Sequence, residues 1–579
     1  MIKQLYQSLR EYKRPTTKVI VCVILEVIME TIVPFLMVRI IDDGIYGGNM
    51  QTLAKFGLYM LLCVVVALFS GAMAGVYSAD ASVGFATNLR KDLYDRVQTF
   101  SFTNIDKFST AGLVTRLTTD VTNVQNAFLM LIRMAIRAPL TMIFALCMSF
   151  SISWKLTWIF VAAIPVLGGG LYAIIRLSFP VFERVFRTYD DLNGIVQENV
   201  SGIRVVKSYV REEHEKQKFG KVSELLYRNF YKAEKLIACN QPLMRLVIYV
   251  CMILVFWFGA RLIVLSSNTE LTTGELTSLI TYAMSILTGL MQLSMVLVML
   301  TIAKSSGKRI AEVLQETPTL SNPEHPITEV ADGSIAFENV NFGYTSDPNK
   351  RILHDIRLQI PSGATVGIIG GTGSGKTSLV SLIPRLYDVC EGSVTVGGID
   401  VRNYDLHTLR NQVAMVLQKN ELFSGTIKEN LRWGNEQASN TELVYACKLA
   451  QADDFIRSFP DGYDTRIEQG GTNVSGGQKQ RLCIARALLK HPRILILDDS
   501  TSAVDTKTDA LIRRAFREEL PDTTKIIIAQ RISSVQDADI IVVMDNGCIH
   551  GIGKHETLLA TDTLYRKIYD SQQKGDSSK

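Results

Sequence analysis

The sequence predicts two architectures in one chain: an α-helical membrane bundle of six transmembrane helices, followed by an α/β domain that contains a P-loop. Three observations predict this division. Long apolar stretches fill the first half, short β-branched runs alternate with helical segments in the second half, and a glycine-rich motif follows one of these runs. We expect the membrane domain to span residues 1–312, a linker residues 313–332, and the α/β domain residues 333–579.

Six apolar stretches are each long enough to cross a bilayer, which takes about 20 residues. The predicted spans are Lys18–Ile41, Phe56–Tyr77, Phe128–Ser151, Leu156–Phe179, Met244–Val264 and Leu276–Ile302. Before them, Met1–Thr17 is polar and basic and precedes no small-residue cleavage site, so we expect the first span to be retained. The second and fourth connections are long and rich in Lys and Arg. The positive-inside rule places both connections, and therefore both termini, in the cytosol.

The two long connections have helical periodicity, so we expect the membrane helices to extend far into the cytosol before they return. Two short turns, Asp106–Gly112 and Arg211–Gln217, are predicted near the tips of these extensions. A rigid extension of this kind can transmit force between the membrane and a domain below it.

Two acidic residues, Glu26 and Glu30, lie four positions apart in the first span and so share one helix face. Ionisable residues inside a span indicate function by default, here a polar cavity that attracts cationic cargo. The alternative is internal pairing with arginines of other spans, which would hold the bundle together. The candidate partners are Arg133, Arg137, Arg245 and Arg261.

Composition excludes some other functions. The formal net charge of +5 is small for 579 residues, and nucleic-acid binding usually needs a clustered basic face, so no nucleic-acid partner is expected. The 9 cysteines are scattered without a CxxC pair or metal-ligand spacing, which predicts unpaired thiols.

In the second half, four apolar runs predict strands of a parallel sheet: Thr365–Ile369, Ile494–Leu497, Lys525–Ile528 and Ile540–Met544. The first run leads into GxxxxGK[ST], the P-loop pattern, in its required context between a strand and a helix. Glycines let backbone amides face phosphate oxygens, Lys376 reaches the β and γ phosphates, and the Thr377 hydroxyl holds Mg²⁺. The residues expected to contact nucleotide here are Gly370, Gly371, Thr372, Gly373, Ser374, Gly375, Lys376, Thr377 and Ser378.

A second motif, Val474-Ser-Gly-Gly-Gln478, precedes an apolar strand that ends in Asp498 and Asp499. An acidic residue after such a strand is what a P-loop fold needs to hold Mg²⁺ through water. The short glycine motif alone could be a turn, but its position before this strand is diagnostic in combination.

With these motifs in order, the whole chain resembles an ABC half-transporter of the exporter type. Phe108–Asp120 and Gly202–Glu212 resemble the two coupling-loop motifs of that family, the second of which docks onto the partner's nucleotide-binding domain. The resemblance implies that Tyr344 stacks on adenine, that Gln418 is the Q-loop glutamine at Mg²⁺, and that Asp505 ends the D-loop. It also implies that each ATP is held between the Walker motifs of one subunit and the signature of the other. The signature residues are Val474, Ser475, Gly476, Gly477 and Gln478.

Three positions depart from the family pattern. Asp499 stands where the family has the glutamate that polarises the attacking water, and Gln530 replaces the switch histidine. The loop before the signature has Gln469 where a glutamate is expected. A carboxylate shortened by one methylene is withdrawn by about 1.5 Å, and a misplacement of about 1 Å can cost on the order of 100-fold in rate. An intact signature beside an impaired Walker site implies a different partner subunit, which supplies the missing glutamate and histidine.

The sequence therefore predicts a subunit of a heterodimeric, ATP-driven exporter of drug-like amphiphiles in a bacterial plasma membrane. Alternatives are a lipid or peptide exporter subunit and a non-transporting, ATP-gated regulatory subunit. Import is disfavoured because the membrane domain precedes the ATPase domain.

Overall fold

The computed structural model describes residues 2–266, 269–345, 347–499 and 504–576. Two compact units make up the chain. The helical unit comprises Met1–Gln98 and Thr110–Glu316, and the α/β unit comprises Thr99–Ser109 and Thr317–Lys579. The segment Thr99–Ser109 from the first long connection is thus part of the α/β unit. The predicted boundaries at residues 312 and 332 stay predictions.

Long helices dominate the first part of the chain. In order, the helices are α1 (Ile2–Gln7), α2 (Lys13–Arg39), α3 (Met50–Gln98), α4 (Phe102–Phe108), α5 (Thr110–Thr115), α6 (Val121–Ile152), α7 (Trp154–Ser201), α8 (Ile203–Ser208), α9 (Glu212–Ala238), α10 (Asn240–Ser266) and α11 (Thr273–Gln315). A 3₁₀ turn at Arg10–Tyr12 precedes α2, and π-helical segments at Ile40–Tyr46 and Arg116–Asp120 continue α2 and α5.

Six of these helical stretches are long and apolar enough to cross a membrane, which confirms the six predicted spans. Helix α3 has 49 residues and α7 has 48. At 1.5 Å per residue, each is about 70 Å long, more than twice the roughly 30 Å of hydrocarbon. The excess length supplies the predicted extensions beyond the bilayer.

One predicted tip is wrong. The chain turns at 209–211, and Arg211–Gln217 is not a turn because α9 begins at Glu212. Three acidic residues in the first turn of α9 favour a helix N-terminus at this point. At the other tip, the predicted turn Asp106–Gly112 is helical apart from Ser109, where φ is +55°, between α4 and α5.

Small residues allow the first two spans to pack closely. Val19, Val23 and Val27 of α2 form one buried cluster with Ala74 and Ala81 of α3. Close approach of backbones through small side chains is the usual source of helix association in membranes, where the hydrophobic effect contributes little.

The α/β unit contains twelve strands among its described residues. They are β1 (Ile335–Phe342), β2 (Leu353–Ile360), β3 (Thr365–Gly370), β4 (Glu391–Val396), β5 (Ile399–Asp400), β6 (Val413–Val416), β7 (Gly425–Thr426), β8 (Arg466–Ile467), β9 (Ile494–Asp498), β10 (Thr524–Ile528), β11 (Ile540–Asp545) and β12 (Cys548–Gly553). The helices that follow α11 are α12 (Lys376–Ser381), α13 (Leu406–Gln412), α14 (Ile427–Arg432), α15 (Asn440–Leu449), α16 (Asp453–Ser458), α17 (Gly476–Leu488), α18 (Thr506–Glu519), α19 (His555–Thr561) and α20 (Thr563–Asp576).

The central sheet has the strand order β12-β11-β3-β10-β9-β6, beside a four-stranded antiparallel sheet β2-β1-β4-β5. Strands β11, β3, β10, β9 and β6 are mutually parallel, and the predicted runs correspond to four of them, which confirms the predicted sheet. Successive residues of β9 face opposite sides: Ile494 and Ile496 join one buried cluster, and Leu495 and Leu497 join the other. Because parallel strands bring their carboxyl ends to one edge, the residues that follow β3, β10, β9 and β6 meet there.

Candidate nucleotide site

The P-loop lies between β3 and α12, as the sequence predicts. Gly373 and Gly375 have φ values of +82° and +92°, the left-handed region that glycine adopts without strain. A Cβ on Gly370 would lie 2.2 Å from the carbonyl oxygen of Met544, so the loop passes directly against β11. The loop therefore requires glycine both for its backbone conformation and for its packing. Its remaining predicted members, Gly371, Thr372 and Ser374, lie between these positions.

Lys376 opens α12 and is held by the P-loop itself. Its Nζ donates to the carbonyl oxygens of Gly370 at 2.9 Å and Gly371 at 2.8 Å, and to Ser374 Oγ at 3.4 Å. These three contacts match the three N–H groups of the ammonium. Burial lowers the pKa of Lys376, although the nearby carboxylates of Asp498 and Asp499 act in the opposite direction. The charge is thus held over the loop by neutral acceptors.

Asp498 ends β9 and is almost fully buried. It accepts a hydrogen bond from the Thr377 hydroxyl, whereas its Oδ2 has no hydrogen-bond partner among the described residues. Burial raises the pKa of this carboxyl, because the charged form is poorly solvated there. A buried carboxylate oxygen without a partner, next to a threonine hydroxyl, is the oxygen donor set that Mg²⁺ prefers, so these residues fit the ion.

Asp499 follows β9 with a left-handed backbone, φ +48°, and its N–H donates to the carbonyl of Ile528 in β10. Gln530 follows β10, and its Nε2 donates to Asp499 Oδ2 at 2.8 Å. Gln418, after β6, donates a second hydrogen bond to the same carboxylate. Burial raises the pKa of Asp499, and these two amide hydrogen bonds oppose that rise. Three sequence-predicted residues from three neighbouring strands therefore meet at one carboxylate.

Tyr344 presents a partly exposed ring next to the P-loop helix. Its hydroxyl lies 3.0 Å from Ser378 Oγ in α12. Tyr387, which sequence reasoning missed, packs edge to face against Tyr344 with ring centroids 5.0 Å apart. The Tyr387 hydroxyl donates to Asp106 in α4 at 2.9 Å. The edge-to-face contact fixes the orientation of Tyr344 and leaves it able to stack on a planar base.

The signature residues form the N-terminus of α17. Ser475 and Gln478 make a capping box: Ser475 Oγ accepts from the Gln478 N–H, and Gln478 Oε1 accepts from the Ser475 N–H at 2.9 Å. Val474 precedes the cap residue Ser475, and Gly476 and Gly477 are the first two residues of the helix, where they add no side chains. A helix N-terminus of this kind has donor N–H groups and a positive dipole that suit an anion. Among the described residues, no hydrogen bond joins Ser475 or Gln478 to the P-loop.

Two other predicted loops flank these motifs. Asp505 caps α18 by accepting from the Thr508 N–H at 2.9 Å, and this hydrogen bond lowers the pKa of Asp505. The preceding D-loop positions 502 and 503 lie outside the described residues. Gln469 lies in a 3₁₀ turn whose neighbour Gly470 accepts a 2.6 Å hydrogen bond from Lys479, which ties the turn to the signature helix.

In the helical unit, both acidic residues of the first span bind one arginine. Arg137 of α6 contacts Glu26 Oε1 at 2.9 Å and Glu30 Oε1 at 2.8 Å. Glu26 is buried and packs over Gly71 of α3, where a Cβ would lie 2.8 Å from Glu26 Oε1. The geometry therefore matches the internal-pairing alternative, with a missing side chain at Gly71 that makes room for the carboxylate.

Two family models match the chain. Residues 17–291 match the ABC transporter transmembrane region, and residues 353–502 match the ABC transporter model. The first match covers five predicted spans and part of the sixth, and the second runs from β2 through the P-loop and the signature to the residues after β9.

Similar proteins cover nearly the whole chain. An uncharacterized ABC transporter ATP-binding protein, YfiB of Bacillus subtilis, is 36% identical over 96% of this chain and 95% of that protein. A fatty acid ABC transporter ATP-binding/permease protein of Mycobacterium bovis is 34% identical over 83% of this chain and 75% of that protein. The solved structure of a bacterial Atm1-family ABC exporter with ATP bound has a TM-score of 0.83 and 25% identity, covering 97% of this chain and 98% of that one.

Proposed function

The chain belongs to the ABC transporters, as a half-transporter of the exporter type with an ATPase domain, and from this premise we propose that it is one subunit of a heterodimeric exporter with two unequal ATP sites. In this proposal its own Walker residues bind ATP and hydrolyse it poorly. Its signature, Val474–Gln478, completes the catalytic site of the partner, which supplies the glutamate and the histidine. The complex lies in a bacterial plasma membrane with both termini of this chain in the cytosol.

The observation that carries the proposal is the pairing of Asp499 with Gln530. At the two positions where the family places a general base and a switch histidine, this chain has a shorter carboxylate and an amide, joined by a 2.8 Å hydrogen bond. The amide of Gln530 donates a hydrogen bond but cannot carry a proton or a positive charge. The Asp499 carboxylate also accepts from Gln418, so two neutral amides already donate hydrogen bonds to it. These features disfavour activation of a water by this site.

Binding does not need those two groups. Lys376 and the P-loop amides neutralise the β and γ phosphates, and Tyr344 offers a ring to the adenine. Thr377, Asp498 and Gln418 would hold Mg²⁺, and Gln418 also donates a hydrogen bond to Asp499. When bound, Mg²⁺ neutralises charge on the β and γ phosphate oxygens. The site can therefore retain ATP and keep two nucleotide-binding domains together while the partner's site turns over.

The cargo in the proposal is a drug-like or other amphiphilic compound. The alternative of a lipid exporter gains support from the relative whose name specifies a fatty acid. A cationic cargo bound by Glu26 and Glu30 loses support, because both carboxylates already pair with Arg137. A peptide exporter subunit and an ATP-gated regulatory subunit remain further alternatives.

The test compares two variants of this chain in complex with the candidate partner, an ABC half-transporter that has the catalytic glutamate and histidine. ATP-driven dye uptake is measured in inside-out vesicles that contain both subunits. Asp499→Asn should leave uptake within about two-fold of the unmodified pair, because this carboxylate is not the working base. Ser475→Ala should lower uptake by about ten-fold, because it removes a hydrogen bond to the phosphate in the partner's site.

The reverse pattern contradicts the proposal. A strong loss with Asp499→Asn, or rapid ATP hydrolysis by this chain alone, would show a working site here. Failure of the pair to transport, together with stimulation of another membrane protein, would favour the regulatory subunit.

A further inference from the structure

The C-terminal helix α20 contacts the backbone on both sides of Arg531, next to the switch position. The N–H of Ile532 donates to Gln572 Oε1 at 2.9 Å, and Gln572 Nε2 donates to the carbonyl oxygen of Gln530 at 2.8 Å. One side-chain amide thus holds two backbone groups that are two residues apart.

The first of these contacts satisfies a specific need. Ile532 begins a 3₁₀ turn, Ile532–Ser534, whose N-cap residue Arg531 makes no side-chain cap hydrogen bond. The first N–H groups of a helical turn have no partner within the turn. Gln572 supplies this partner from 40 residues further along the chain.

Packing fixes the helix that bears Gln572. Tyr565 of α20 is fully buried, and it shares a cluster with Ile532 and with Ile541 and Val543 of β11. Ile568 and Tyr569 of α20 pack against the same cluster. Because this face of α20 is anchored in the core, the amide of Gln572 is held at a defined place beside the switch loop.

We propose that Gln572 is a positioning residue that sets the backbone at Gln530 and thereby the contact of Gln530 with Asp499. The contacts run without a gap from Gln572 to the Gln530 carbonyl, through the Gln530 side chain, to Asp499 Oδ2. Loss of Gln572 frees the loop, so the Gln530 amide no longer stays at the edge of the phosphate site. The consequence for ATP retention rests on the proposed function of this site.

The test uses the full-length chain in lipid nanodiscs. Gln572→Met keeps the length of the side chain and removes both hydrogen bonds. We expect hydrogen exchange of the peptide that contains Ile532 to increase, and dissociation of Mg²⁺-bound mant-ATP to become about five-fold faster, as for the loss of a net hydrogen bond. Gln572→Glu retains an acceptor for Ile532, so its effect on exchange should be smaller.

Two controls separate positioning from a general loss of stability. Ser571→Ala, an exposed position on the same helix, should change neither measurement. In a Gln530→Ala background, Gln572→Met should give no further acceleration of nucleotide release, because the side chain it positions is absent.

The inference is overturned if Gln572→Met leaves hydrogen exchange at Ile532 unchanged. It is also overturned if Gln572→Met accelerates nucleotide release by the same factor in the Gln530→Ala background as in the unmodified chain. If the unmodified chain binds no mant-ATP, the proposed function fails. The exchange of Ile532 then still decides whether Gln572 holds the loop.

Discussion

Two acidic pairs, one in each unit, lie beside a cation. The cation has different hydrogen-bond partners in the two places. In the helical unit, Arg137 bridges Glu26 and Glu30 directly. In the α/β unit, Lys376 is held by two carbonyl oxygens and a hydroxyl of the P-loop, next to Asp498 and Asp499. Arg137 therefore forms salt bridges with carboxylates of the protein itself. Lys376 stays over a loop of backbone amides that suits phosphate.

This difference shows how a charged side chain that stabilises the fold can be distinguished from one that can bind a ligand. A cation with two carboxylate partners is bound to fixed anions inside the protein. A cation held by neutral acceptors leaves a positive charge available to a ligand. A buried carboxylate oxygen without a hydrogen-bond partner does not separate the two places, because the described residues include both Asp498 Oδ2 and Glu26 Oε2. The sequence alone identifies Asp498 and Asp499 by their motif context, and it leaves open whether Glu26 and Glu30 bind cargo or pair internally.

The largest expected effect comes from removing Arg137, which bridges Glu26 and Glu30. Arg137→Leu leaves Glu26 buried without its partner, which should lower the free energy of unfolding by about 3 kcal/mol. Scanning fluorimetry in detergent measures the change as a lower melting temperature. Glu30→Gln, at a more exposed carboxylate, should have a much smaller effect. Equal stability of Arg137→Leu and the unmodified chain would break the comparison.

The second effect is on the P-loop lysine. Lys376→Met removes the cation, while the loop glycines keep the backbone conformation. Mant-ATP affinity should fall by about 30-fold, as for the loss of a charge-assisted hydrogen bond. The melting temperature without nucleotide should hardly change, because Lys376 does not neutralise a structural carboxylate directly. Lys350→Met, at an exposed position in the same unit, is the matched control.

A smaller effect, an increase in ATP hydrolysis, is expected when the family's glutamate and histidine are introduced together. Asp499→Glu with Gln530→His should raise ATP hydrolysis by this site by about ten-fold, measured in a complex whose partner site carries an inactivating substitution. Each single change should give less, since base and switch act on the same water. No gain from the double variant would mean that the signature of the partner, rather than this site, limits hydrolysis.

The smallest effect is a pH dependence of nucleotide binding. Burial raises the pKa of both Asp498 and Asp499 above the ordinary aspartate value. Because Mg²⁺ requires the ionised Asp498, its affinity in the presence of ATP should weaken as the pH falls through this raised pKa. The raised pKa also means that ionisation of these groups destabilises the fold, so stability without ligand should decline as the pH rises through the same range. Calorimetric titration and thermal melts measure the two trends, which should have opposite signs.

The sequence predicts the elements whose signals are local. The six spans follow from apolar length, and the P-loop follows from glycines between a strand and a helix. Asp499 and Gln530 are 31 positions apart, and they meet because β9 and β10 are adjacent parallel strands that end at one edge. The known order of motifs places both residues, although spacing alone does not show their hydrogen bond.

Other features have no local signal. Gln572 reaches the switch loop only because the apolar face of α20 packs into the core, which depends on tertiary structure. The incorrect prediction of a turn at Arg211–Gln217 has a different cause. A charged, polar stretch resembles a loop in sequence, but its clustered glutamates stabilise the N-terminus of a helix. Tyr387 contacts Tyr344 across a distance in sequence that no pattern marks.

The backbone conformation at position 499 affects how readily aspartate and glutamate replace each other there. A φ of +48° suits aspartate, whose short side chain visits the left-handed region more readily than most residues. A glutamate at this position meets a less favourable backbone conformation than aspartate does. A lineage that once accepts aspartate here gains folding stability, and a return to glutamate gives that stability up before it restores any catalysis. In the proposed heterodimer, the replacement of glutamate at this position is therefore easier to acquire than to reverse.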